Sequence, residues 1–195
     1  MTQQPSNDVA YTVSVHTALT PAQRAMFDDL ERAAFQWFDI AEEKQRDTDD
    51  RFCSDGDTVG YVFAFVGERL VGAVRLSQRA IDFHGRTVQL GGLGGVATDA
   101  AWRGRGVASA TTAAAMGRLR ELGCDLAYLC TDIAKLGLLY GQVGFVPLGR
   151  AHTYLGASDR RYTDDDGMIA PINSPDLFAA ILADDAPFDI GRGNW

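Results

Sequence analysis

Apolar and polar positions change their period several times along this chain, and each change marks an element. Residues 11–17, YTVSVHT, alternate and carry β-branched side chains, which predicts a strand. TPAQ then supplies Thr20 as an N-cap, Pro21 at the first helical position and Gln23 three residues after the cap. Met26, Leu30, Ala33 and Trp37 recur at helical spacing, so a helix is expected to about Trp37. Residues 39–58 are polar and acidic and read as a loop or a solvated helix. The apolar run 61–81 breaks at Gly67-Glu68 into the two strands of a hairpin. HGR at 84–86 makes a second turn, and TVQLGGLGGVAT, 87–98, is a further extended run.

The second half changes character. Residues 106–122 predict an alanine-rich helix ending at Gly123, whose small side chains let it lie close on a sheet. CDLAYLCT, 124–131, reads as a buried strand in which Cys124 and Cys130, six apart, share one face. Thr131 or Asp132 caps the next helix, which puts Leu136, Leu139, Tyr140 and Val143 on one face and stops at Gly144. FVPLG from 145 and DGMIAPI, 166–172, predict two more strands, and Ser174-Pro175 opens a short helix through Leu182. Hairpins come first, and one strand–helix–strand–helix–strand run comes late. That order predicts an α/β fold, with a mixed sheet and helices on its faces, in a single domain over 1–195.

Composition narrows the function. An apolar fraction of 46% suits a globular core, and no apolar run approaches the length of about 18 that a membrane helix needs. The net charge of -8 argues against binding a phosphate backbone, makes an anionic substrate less suited and a cationic one easier to accept. Membrane and nucleic acid are therefore not expected as partners. The first ten residues, MTQQPSNDVA, show no secretory signal, so a cytoplasmic location is expected, with Cys53, Cys124 and Cys130 as reduced thiols. His16, His84 and His152 are scattered singly, without metal-ligand spacing, so no metal is expected.

One stretch fits neither core nor ordinary surface: AAWRGRGVASAT, 100–111, which packs Arg103, Gly104, Arg105 and Gly106 against the mouth of the alanine-rich helix. The first turn of a helix has free N–H groups and a positive dipole end, and glycines let several N–H groups converge on one anion. Two arginines add charge. The stretch therefore reads as a phosphate or pyrophosphate cradle. It lacks the G-K-[ST] of a Walker A loop, and Ser109 stands where a dinucleotide fingerprint needs its last glycine. Upstream, Gly91, Gly92, Gly94 and Gly95 are unusual for a strand, and mark a bulge or a place where another backbone or ligand comes close.

Arg103-x-Arg105-Gly106-x-Ala108, followed by Tyr140 four residues before Gly144-Phe145, resembles the GCN5-related N-acetyltransferase superfamily. The resemblance covers roughly residues 10–172. It implies that family's fold, a central mixed, mostly antiparallel sheet flanked by helices, with 173–195 as a C-terminal helix and tail closing the acceptor site. It implies acetyl-coenzyme A as donor. The pyrophosphate would lie on Arg103, Gly104, Arg105, Gly106, Val107, Ala108 and Ser109, and the pantetheine arm beside Gly95, Val96, Ala97 and Thr98. The N–H of Val96 or its neighbour would polarise the thioester carbonyl. Tyr140 would protonate the departing thiolate.

GVATDAAWRGRG, TDDDGMIAPI and the final Trp are also similar to the aminoglycoside 2'-N-acetyltransferases. That likeness implies a small cationic acceptor, held by Asp165, the carboxylate of Trp195, Thr131 and Asp39, and acetylated on its 2'-amine. Two departures remove negative charge: Gly94 stands where that family has a glutamate, and Asn194 where an aspartate is usual. An acetyltransferase for a protein or peptide amine and an acyl-CoA sensor without turnover are the alternative readings. Homodimerisation is left open.

Overall fold

The computed structural model describes residues 10–35, 41–52 and 55–195. Trp37, Asp39 and Cys53 lie outside the described residues.

β1 (Thr12–His16), β2 (Thr58–Val66), β3 (Arg69–Phe83) and β4 (Arg86–Thr98) form an antiparallel meander. β5 (Leu126–Cys130) joins β4 in parallel, and β9 (Gly167–Pro171) and β6 (Val146–Pro147) complete a sheet in the order β1-β2-β3-β4-β5-β9-β6. A second sheet, in the order β10-β7-β8, is built from β7 (His152–Leu155), β8 (Arg161–Asp164) and β10 (Phe188–Arg192). These three short strands are absent from the sequence reading. Each has only four or five residues, too few for alternation to stand out from a loop.

The helices are α1 (Pro21–Phe35), α2 (Glu42–Arg51), α3 (Val107–Glu121), α4 (Ile133–Gly141) and α5 (Pro175–Ala183). The start of α1 is the expected capping box: the Gln23 N–H donates to Thr20 Oγ1 at 3.2 Å and the Thr20 N–H donates to Gln23 Oε1 at 3.0 Å. The acidic segment after residue 41 is a solvated helix with no buried residue. Polar groups at its end hold it: Arg51 Nε donates to the Tyr154 hydroxyl at 2.9 Å, and the Tyr162 hydroxyl donates to Asp50 Oδ2 at 2.7 Å.

α3 lies on β2, β3 and β4, where Ala115, Met116 and Leu119 meet Val62, Val74, Leu76 and Leu93. A second core on the other face gathers Leu90, Leu126, Tyr128 and Ile169 with α5 and the C-terminal strand. β5 divides the two cores, and here one expectation fails. Cys124 packs with Ala127 and Leu129 in the α3 core, whereas Cys130 packs against the Leu126 and Tyr128 core. The strand begins at Leu126, so the turn at 123–125 breaks the two-residue period that would have put both thiols on one face.

Candidate active site

β4 and β5 pair only from Leu90↔Leu126 to Gly92↔Tyr128 and then diverge. The divergence leaves residues 93–98 of β4 without a neighbour on the β5 side. Within that stretch the register with β3 slips: Ala97 faces Ala73 and Gly94 faces Arg75, so Gly95 and Val96 together oppose Val74. This is a bulge, and its Gly95 has φ +55°, a conformation that favours glycine.

Gly91 and Gly92 have a cause outside the bulge and the close approach of a backbone or ligand that the sequence leaves open for them. A Cβ at Gly91 would stand 2.9 Å from Leu119 Cδ1 and 3.0 Å from Cys124 Sγ, and one at Gly92 only 2.1 Å from Trp195 Cε3. Both positions make room for the protein's own side chains. Gly94 faces Arg75 Nη2, 3.4 Å from where its Cβ would be, and lies 3.6 Å from the main-chain carboxyl carbon of Trp195 by the same measure.

Beyond β4 the chain enters the arginine–glycine loop. Asp99 Oδ1 accepts from the Ala101 N–H at 2.9 Å, and Asp99 Oδ2 pairs with Arg69 Nη2 at 2.6 Å. Arg103 Nε donates to the Thr98 carbonyl at 3.3 Å. Gly104 and Gly106 have φ of 72° and 77°, and Gly106 is the N-cap of α3 without any capping side chain. The N–H groups of Val107, Ala108 and Ser109 are therefore left outside the helix's own hydrogen bonds, at its positive end. That arrangement fits an anion.

The loop forms one wall of a cleft of about 480 Å³ in the β4–β5 divergence. Val96, Thr98, Arg103, Gly104, Gly106, Val107, Ala108, Ser109 and Tyr140 line it. Three expected residues do not, Gly95, Ala97 and Arg105, of which Gly95 faces the second pocket described below. Ala97 is buried on the opposite face with Phe27 and Phe63, because strand side chains alternate. Arg105 stacks its guanidinium over Trp102, 5.0 Å from the ring centroid.

A second pocket, about 180 Å³, adjoins the first and shares Phe35, Val96, Leu136 and Tyr140 with it. Gly95, Thr131 and Trp195 line it, together with Arg75, Phe52 and Cys130, which sequence reasoning did not single out. Arg75 reaches it through its register opposite Gly94, which no local sequence signal reveals. Tyr140 is buried and packs edge-to-face on Phe145 at 6.1 Å. Burial, with the nearby Cys130 thiol, pushes its hydroxyl up to about 12, so it stays protonated at neutral pH. Burial also pushes Cys130 up to about 12, and its thiol donates to a main-chain carboxyl oxygen of Trp195 at 2.8 Å.

The tail that carries Trp195 is tied down at several points. The Asn194 N–H donates to the Arg51 carbonyl at 2.7 Å, and its Oδ1 accepts from the Tyr128 hydroxyl and the Trp195 N–H. Arg79 stacks over the indole at 3.9 Å and donates to the carbonyls of Ile190 and Gly193. Asp165 is exposed and does not line the 180 Å³ pocket. Its neighbours point elsewhere: Asp164 pairs with Arg51 and accepts from the Tyr154 hydroxyl, while Asp166 and His152 stand together, with all three side chains offering atoms within 4.8 Å of one another.

Among the described residues no helix is long and apolar enough to cross a membrane. A search of curated proteins finds no match. Among solved structures the fold is similar to a probable N-acyltransferase of Enterococcus faecalis V583 (22% identity, TM-score 0.57), covering 73% of this chain and 34% of that one, so this chain spans about a third of that protein. It is also similar to the GNAT-family N-acetyltransferase YhbS of Escherichia coli, solved with CoA (18% identity, TM-score 0.62, 97% of this chain and 93% of that one). A third similar structure is a GNAT-family acetyltransferase of Brucella melitensis in complex with acetyl-CoA (19% identity, TM-score 0.52, 69% of this chain and 83% of that one). Residues 17–147, well over half the chain, match the family described as acetyltransferase (GNAT) domain. With that match, this chain belongs to the GNAT acetyltransferase domain family.

Proposed function

We propose that the chain moves an acetyl group from acetyl-CoA, bound in the 480 Å³ cleft, to a primary amine bound in the 180 Å³ pocket. The observation that carries this reading is that Tyr140 lines both spaces. Acetyl-CoA is the donor. Its pyrophosphate lies on the free N–H groups of Val107 to Ser109, with Arg103 beside them, and its pantetheine arm runs along Val96 and Thr98. The amine attacks the thioester carbonyl, whose developing charge is met by a backbone N–H near Val96. Tyr140 gives its proton to the departing sulfur. A sensor without turnover would have no use for a protonated phenol at the junction of two pockets.

The acceptor is a small cationic amine, with the 2'-amine of an aminoglycoside as the specific candidate. Support comes from the acidic run Asp164–Asp166 next to Thr131 and from the net charge of -8. Arg75 in the pocket lining limits how such a molecule enters: one amine goes in, and its other positive groups stay outside, toward the aspartates.

Thiol release from acetyl-CoA tests the reading against tobramycin, which has a 2'-amine, kanamycin A, which has a hydroxyl there, spermidine and amine-ended peptides. Turnover of tobramycin but not kanamycin A is the expected result. Turnover of both removes the 2' assignment, and turnover of peptides alone replaces the small cation with a protein amine.

A further inference from the structure

The reaction needs a free amine, yet an alkyl ammonium holds its proton at neutral pH. Gly94 leaves β4 without a carboxylate to take that proton. Another group stands nearby. The Thr131 N–H donates to the Asp166 carbonyl at 3.1 Å, and Cys130 pairs with Gly167 in the sheet, so the Asp166 backbone lies one hydrogen bond behind Thr131, which lines the acceptor pocket, while Asp166 itself stands outside that lining. Its carboxylate is divided between two environments. The side chain is 47% exposed, but Oδ1 is fully buried and has no hydrogen-bond partner. Behind it, 3.9 Å from Oδ1, is Nε2 of His152, which is 0% exposed and has no hydrogen-bond partner on either ring nitrogen. A buried imidazole must present at least one N–H donor, and leaving it unmatched is costly. Tyr128 and Tyr154 wall the ring in, and a Cβ at residue 167 would stand 3.0 Å from its Nδ1. Its charged neighbours are Asp166, 3.9 Å from Nε2, and Asp164, whose carboxylate also lies within 4.8 Å of a ring nitrogen.

We propose that Asp166 is the catalytic base that takes the proton of the incoming ammonium, and that His152 is a positioning residue behind it that shares that proton. This rests on the acetyltransferase reading above. In the first step R–NH3+ loses one proton to Asp166, directly or through one water. The free amine then forms the N–C bond as the carbonyl becomes an oxyanion. Collapse breaks the C–S bond, sulfur receives the Tyr140 proton, and the surplus proton on nitrogen restores Tyr140. The proton on Asp166 passes to His152 or leaves through the exposed half of the carboxylate.

The surroundings suit this role. Burial, with Asp164 and Asp165 close by, raises Asp166, while Arg51 opposes the rise. Burial lowers His152, against Asp164 and Asp165, which raise it, with Arg51 again lowering it. Two groups whose affinities for a proton move toward one another can share one. The Cys130 and Tyr128 groups facing the pair are both held protonated, so they do not compete as bases. A metal ion is the less fitting occupant, because the Arg51 guanidinium already neutralises Asp164.

The test combines kinetics and NMR. With tobramycin as acceptor, Asp166→Asn is expected to lower kcat/KM at pH 7 by about 10²-fold, with the gap closing as pH approaches the amine's own pKa. His152→Gln keeps the carboxylate, so its loss is smaller, and it moves the acid limb of the pH profile to lower pH because one of two proton sites is gone. A merely structural histidine would lower the rate without moving the limb. Histidine-selective NMR reads the pair without any acceptor: Asp166→Asn is expected to move the His152 inflection to lower pH. A parental pH profile in Asp166→Asn overturns the proposal, as does an unmoved His152 inflection. Zinc co-purifying with the parent and lost in Asp166→Asn overturns it in favour of a metal site. A parent inert toward tobramycin, spermidine and peptides contradicts the acetyltransferase reading instead, and the NMR titration then decides the pair alone.

Discussion

Trp195 occupies the volume that a side chain at Gly92 would need. A Cβ there would stand 2.1 Å from Cε3 and 2.4 Å from Cδ2 of the indole. The last residue of the chain thus packs against the point where β4 and β5 part, and it forms part of the wall of the acceptor pocket. Gly92→Ala is expected to cost about 1–3 kcal/mol by overpacking, and Trp195→Ala about 3–5 kcal/mol by leaving a cavity. The double variant is expected to cost less than the sum, because removing the indole frees the space that the new methyl needs. Urea denaturation of the four proteins measures this. Additive costs would show that the two residues do not meet.

Arg51 and Asp164 join α2 to the second sheet, and they predict a pH dependence. Burial works against the Asp164 carboxylate, but hydrogen bonds from Arg51 and Tyr154 hold it below the usual range. Its contribution is present above the unfolded value of about 3.9 and is lost as pH falls through the lower folded value. Asp164→Asn is expected to cost about 2 kcal/mol at pH 7, with the difference from the parent disappearing in acid. Asp166 has the opposite sign. Its raised value means that the ionised form is favoured in the unfolded chain, so Asp166→Asn is expected to raise Tm at pH 7 and leave it unchanged below pH 4. Thermal melts across pH separate the two, and a fall in Tm for Asp166→Asn at pH 7 would contradict this sign.

On the proposed function acetyl-CoA binds the folded state alone, and it is expected to raise Tm. Gly106→Val places a branched side chain at φ 77° on the N-cap of α3. The variant is expected to fold with lower stability and to lose the acetyl-CoA shift. A full shift in the variant would place the pyrophosphate away from this loop.

The elements that carry the site were legible because each has a strong local signal. Thr20 and Gln23 show the start of α1, the alanines show α3, and Asp132, whose side chain accepts from the Lys135 N–H, shows α4. The loop from Arg103 to Gly106 was legible for the same reason, since chemistry and backbone conformation coincide in four consecutive residues. The acceptor side was much less so. Arg75 enters the pocket by register, Phe52 from the end of a solvated helix, and His152 meets Asp166 only because a four-residue strand folds over β9. Gly91 and Gly92, which the sequence marks as a bulge or a close approach of backbone or ligand, show the limit in another way. A glycine records that something comes close, and only the fold tells whether that is a ligand or, as here, Leu119 and Trp195.

Tyr140→Phe removes one hydroxyl and little volume. Turnover is expected to fall by about 10²–10⁴-fold, with acetyl-CoA affinity nearly unchanged. Because burial pushes the phenol up to about 12, its ionisation is expected to leave the rate unaffected below pH 10. Stopped thiol-release assays and a titration with acetyl-CoA measure the two quantities. Parental turnover in the variant would leave Tyr140 as packing for Phe145.

The most direct measurement is mass spectrometry of the amine after incubation with acetyl-CoA and the purified chain, alongside the release of free CoA. The account predicts one added acetyl group on tobramycin or another small cationic amine, in equal amount to the CoA released, and almost none with Tyr140→Phe. Tight binding of acetyl-CoA with no acetylated amine of any kind, or release of CoA to water alone, would contradict it.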